Sequence, residues 1–68
     1  MIQNMKGGIM KTNEMFEMAV EMLRGHYRTG TGWMRGVAVE DALRIANRTG
    51  RDPGDVFADM ELAATETD

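Results

Sequence analysis

"ALRIANRTGRDPGDVFADM", residues 42–60, carries the clearest structural punctuation in the chain. Val39, Ala42, Leu43 and Ala46 recur at helical spacing, with Ile45 at the edge of the stripe. Gly50 follows, and glycine adopts the left-handed conformation that closes a helix without a Cβ penalty. Asp52 can then accept hydrogen bonds from the free N–H groups of a new helix. Pro53 suits its first position because the N–H it lacks would have no intrahelical partner. Asp55 stands near the positive end of the helix dipole, and Val56, Phe57, Met60 and Ala63 or Ala64 resume the helical period. The stretch is a helical hairpin, against which the rest of the chain must pack.

Upstream, Thr12 or Asn13 is a suitable cap for a first helix through "EMFEMAVEMLRGHYR", residues 14–28. Gly25 weakens that helix by roughly 1 kcal/mol relative to alanine, so fraying is expected there. "TGTGW", residues 29–33, reads as a break in which Trp33 plugs a flexible connector. The second helix is expected over "GVAVEDALRIANRTG", residues 36–50, with Ala38 at the cap position and Asp41 three residues on, a degenerate capping box. "WMRGVAV", residues 33–39, alternates as a short strand would, but a lone strand has nothing to pair with. No internal repeat is evident. The predicted fold is an all-α, small three-helix domain over residues 12–64, with a helix-turn-helix-like hairpin in its C-terminal half. Residues 1–11 are predicted to be a flexible N-terminal segment and residues 65–68 an acidic tail.

Composition bounds what such a chain can be. A chain of 68 residues buries a modest core and is marginally stable alone. It has no cysteine, so neither a disulfide nor a thiolate zinc site can staple it. Self-association or docking on a partner is the remaining source of burial. No run approaches the ~18 apolar residues of a membrane span, and "MIQNMKGGIMK" has no apolar h-region, so a soluble, cytoplasmic protein without membrane contact is expected. The net charge of −3 is unevenly spread. Residues 24–51 carry Arg24, Arg28, Arg35, Arg44, Arg48 and Arg51 against Glu40 and Asp41, whereas residues 52–68 carry only acids. A basic band beside an acidic end marks either a nucleic-acid surface or two complementary protein patches.

Catalytic chemistry finds little support. The single histidine, His26, lacks an evident orienting partner, and no carboxylate pair sits in an apolar setting that would separate two pKa values. Asp52, Asp55 and Asp59 are explained as a cap and a solvated face, not as metal ligands. Gly30, Gly32 and Gly36 match no phosphate-binding spacing and follow no strand. No enzymatic activity, cofactor, metal or small-molecule substrate is expected.

The first helix is unusual. Phe16, Val20, Leu23 and Tyr27 form one apolar stripe, and Met15, Met18 and Met22 form a second beside it. Methionine fills irregular core gaps well, which is the plainer explanation. A face this wide nevertheless exceeds what two short helices readily cover, and large exposed apolar patches usually mean an interface. Met15, Met18 and Met22 are therefore the expected partner-binding residues, with Trp33 as an anchor. The expected function is a non-enzymatic interaction module: a regulator, inhibitor or accessory subunit acting as a homodimer or by docking on a larger protein. A phage- or plasmid-encoded regulator would suit this size, although no motif carries that expectation.

The hairpin also resembles the helix-turn-helix motif of DNA-binding proteins. Ala46, Gly50 and Val56 fall at its small-residue, turn-glycine and aliphatic positions, and Ile45 at the apolar position before the alanine. The resemblance covers about twenty residues and has two departures: Arg51 and Asp59 stand where apolar residues are usual. The resemblance implies a second helix that reads bases with its N-terminal part. Here that part offers Asp52, Asp55 and Asp59 and no arginine, lysine, asparagine or glutamine, so it should repel a polyanion. Nucleic-acid contact is the alternative function and would have to use the arginine face Arg44, Arg48 and Arg51, which would equally suit an acidic protein partner.

Overall fold

The computed structural model describes residues 11–66. It consists of three α-helices, α1 (Thr12–Thr29), α2 (Gly32–Thr49) and α3 (Pro53–Thr65), each packed against the other two, and the described residues include no strand. The expected N-terminal segment, apart from Lys11, and the last two residues of the expected tail lie outside the described residues.

The same tripeptide, Arg-Thr-Gly, ends both α1 and α2. Gly30 and Gly50 are left-handed, with φ of 74° and 75°. Their N–H groups donate to the carbonyls of His26 (2.7 Å) and Ala46 (2.9 Å). The preceding threonines repeat the device: Thr29 Oγ1 donates to the Gly25 carbonyl at 2.7 Å, and Thr49 Oγ1 to the Ile45 carbonyl at 2.8 Å. The glycine N–H groups thus satisfy carbonyls that helix termination would orphan, and each threonine hydroxyl adds a second donor to a carbonyl of the last turn. The hairpin has the expected second half as well. Asp52 Oδ2 accepts from the N–H groups of Gly54 (2.9 Å) and Asp55 (3.3 Å), ahead of Pro53 at the first helical position.

Two expectations about α2 are corrected. The helix begins at Gly32, not at Gly36, so Trp33 and Met34 belong to its first turn and the connector from α1 is only Gly30 and Thr31. Thr31 takes the extended cap conformation, and its N–H donates to Thr29 Oγ1 at 3.2 Å. Ala38 is accordingly core and not a cap. The second correction concerns register. Ala38, Ala42, Ile45 and Ala46 face the core, while Val39 is half-buried and Leu43 lies outside. Reading bulk as burial misplaces this helix, whose inner face is mostly alanine.

Gly25 does not end α1. The helix continues for another turn, and Gly25 is buried, because a Cβ there would stand 2.7 Å from Met34 Sδ. The missing side chain makes room for the start of α2. Across the three helices the core comprises Met15, Ala19, Val20 and Leu23 from α1, the α2 residues above, and Val56, Met60 and Ala64 from α3. Phe16, Met22, Phe57 and Ala63 pack around it, half-buried. No described helix is long and apolar enough to cross a membrane.

Candidate interaction surface

The chain has an unusual division of bulk between inside and outside. Five of the eleven core residues are alanine, while the only tryptophan, the only tyrosine and two leucines are exposed. Trp33 is 60% accessible, Leu62 63%, Leu43 and Met18 52% each, and Tyr27 47%. An alanine-lined α2 can approach its neighbours closely, which leaves little interior volume for larger groups.

The methionine stripe of α1 is divided by this packing. Met15 is a core residue, 7% exposed, and Met22 is half-buried against the core. Met18 alone of the three is open to solvent. Met18 and Met22, four residues apart, share one face of α1 with Glu14, Glu17 and Glu21. Among the described residues these five line a shallow, open depression. Glu21 pairs with Arg24, whereas neither Glu14 nor Glu17 is held in an ion pair with a described residue. Arg24 also donates from Nη2 to the Ala63 carbonyl at 3.1 Å, tying α1 to the end of α3.

Trp33 is not a plug. It stands on the first turn of α2, at the end of the molecule where His26 and Tyr27 close α1. The His26 and Tyr27 rings lie tilted, 5.7 Å apart. His26 Nδ1 lies 3.1 Å from the Thr31 carbonyl, and since a carbonyl only accepts, Nδ1–H must donate. The histidine thereby braces the α1–α2 turn, a structural duty invisible from its isolation in the sequence.

The arginine face is largely committed to internal partners. Arg44 pairs with Asp41 at 2.8 Å and lies 3.9 Å from Glu40, and Arg51 pairs with Asp59 at 2.7 Å. Arg48 is exposed on the same helix and is itself engaged. Arg35 lies over the Phe57 ring, 5.2 Å from its centre. Between α2 and α3, Leu43, Ala46, Gly50 and Pro53 line a second open groove, with Arg44 and Arg51 at its edge. Sequence reasoning missed Leu43 and Leu62 as surface residues. For Leu43 the available signal was Ala38, Ala42 and Ala46, an i, i+4, i+8 row of small residues that competes with the bulkier stripe.

The described residues include no buried polar or charged side chain and no group of three residues able to hold a metal ion. The surface offers apolar contact and charge. Comparison with known proteins gives no match: no family model fits the chain, and neither a curated protein nor a solved structure resembles it significantly.

Proposed function

We propose that this chain is a non-enzymatic protein-interaction module, a regulator or accessory subunit that works by docking on another protein surface. The observation that carries this reading is the exposure of Trp33, Met18, Leu43 and Leu62 around a core in which alanine is the commonest residue. Tryptophan dominates protein interfaces because its large, rigid ring buries much area at little entropic cost. A chain this small gains most from covering such groups, since its own core supplies only a few kcal/mol. The homodimer expected from the sequence is one way of covering them, and a larger partner is the other.

The nucleic-acid alternative has less support. Binding a polyanion draws on arginines free to neutralise phosphates. Arg44 and Arg51 already serve Asp41 and Asp59, and α3 presents Asp52 at its cap with Asp55 and Asp59 in its first two turns.

Sedimentation equilibrium over a wide concentration range, with a pull-down from the native host, tests the proposal. A dimer, or one protein captured by the wild-type chain and lost with Trp33→Ala or Met18→Gln, is expected. A monomer at every concentration, with no capture sensitive to these substitutions, overturns it.

A further inference from the structure

We infer that the Met18–Met22 face of α1 receives a basic amphipathic helix from a partner protein. This inference rests on the interaction-module reading and names the chemistry of the partner. Glu14, Glu17 and Glu21 follow one another at i, i+3 and i+7, forming an acidic row about 10 Å long on the helix surface. Met18 and Met22 form the adjoining row, and the shallow depression over both is lined by all five residues. An apolar row with a charged row beside it has the pattern of a helix-binding face, in which the ligand lays down residues at i, i+3 or i+4. Methionine suits that duty because its unbranched, polarisable side chain adapts to the shape laid against it.

Charge selects among occupants. Two α1 faces of two copies brought together would juxtapose six carboxylates, of which only the two Glu21 have an arginine beside them, and like charges placed together weaken association. From a second copy, Arg44 and Arg51 would first have to leave the acids of their own helical hairpin, which makes them a weaker complement than unpaired lysines or arginines. Glu14 and Glu17 have no described partner of opposite charge. A helix with leucine-like residues on one face and lysine or arginine beside them satisfies both rows at once.

The test uses the full chain and two fluorescent synthetic helices with the same leucine stripe, one flanked by lysines and one by glutamates. The wild-type chain should bind the basic helix at least about tenfold more tightly than the acidic one, with an affinity that falls as salt rises. Glu14→Lys with Glu17→Lys should reverse that preference, and Met18→Gln should weaken the basic helix about tenfold with the helical circular dichroism unchanged. All three residues are exposed, so these variants keep the fold. An unreversed preference, or backbone NMR shifts that place the bound helix on the Leu43 groove or at Trp33, overturns this inference and leaves the interaction-module reading standing. Self-association abolished by Met18→Gln does the same and makes a second copy the occupant. Absence of binding to either helix overturns this inference, and it overturns the interaction-module reading as well only where the chain also stays monomeric and captures no protein.

Discussion

Arg51 and Asp59 are joined across the α2–α3 corner, Nη2 to Oδ2 at 2.7 Å. They occupy the two positions at which the hairpin departs from the helix-turn-helix pattern, so an ion pair joins two places where apolar residues are usual. With side chains 46% and 49% accessible, the pair is solvated and screened. A double-mutant cycle with Arg51→Ala and Asp59→Ala is expected to give a coupling of about 0.2–1 kcal/mol that shrinks in high salt. A salt-independent coupling well above that range would mean that the corner depends on the pair for its geometry.

That corner was legible in the sequence because each of its signals is local. Gly50, Asp52 and Pro53 act on the backbone within a few residues of themselves, and the structure gives each its expected position. The α1–α2 corner was not, although it closes with the same Arg-Thr-Gly. There Gly32 and Gly36 dilute the helical signal, and what carries α2 back to Gly32 is tertiary: Met34 at the place of Gly25, and Ala38 in the core. The orientation of α2 was lost for a related reason. Val39 and Leu43 outweigh Ala38 and Ala42 by bulk, and only the approach of α1 and α3 decides which row is inside. Of the expected contact residues, Met18 and Trp33 stand exposed, while Met15 shows that three methionines on one side of a helix need not share one environment.

The glycines separate conformational need from spatial need. Gly36 is helical with open space at its Cβ position, so Gly36→Ala should raise stability by about 0.5–1 kcal/mol, or several degrees in Tm. Gly25→Ala has the same propensity gain but must displace the Met34 thioether, and should gain less. Gly30→Ala and Gly50→Ala force a side chain into left-handed backbone and should each cost about 1–2 kcal/mol. Urea titration measures all four; equal gains at Gly25 and Gly36 would show that Met34 yields at no cost.

The helix N-termini are capped unequally. Asp52 holds two N–H groups of α3, and Asp52→Ala should cost about 1 kcal/mol. Lys11, at the same position of α1, makes no side-chain cap and places a cation at the positive end of the helix. Lys11→Asp should therefore stabilise the chain by about 0.5–1 kcal/mol. Thermal unfolding followed by circular dichroism checks both signs, and a destabilising Lys11→Asp would point to a separate role for the lysine.

Three leucines make one substitution informative in three places. Leu23 is fully buried, and Leu23→Ala should cost about 2–5 kcal/mol, enough to unfold much of so small a domain. Leu43 and Leu62 are more than half exposed, and alanine there should change stability by about 0.5 kcal/mol or less. Denaturation curves of the isolated chain give the comparison. A large loss at Leu43 would mean that the isolated chain already covers this leucine, as a self-associated state would.

Duplex DNA gives the sharpest separation between the two functions considered. Phosphate neutralisation by free arginines would appear as binding at low salt whose logarithm falls linearly with the logarithm of salt concentration. The geometry opposes it: Asp52 caps α3, Asp55 and Asp59 stand in its first two turns, and the Arg44 and Arg51 pairs would have to open before either reached a phosphate. No saturable binding of a labelled duplex is expected, even at about 20 mM salt, where such contacts are least screened. Asp59→Asn, which releases Arg51 and removes one carboxylate, should create weak, salt-sensitive affinity if the internal pair is what withholds the arginine. Tight binding by the wild-type chain, abolished by changing Arg44, Arg48 and Arg51 to glutamate, would instead make the arginine face a nucleic-acid surface.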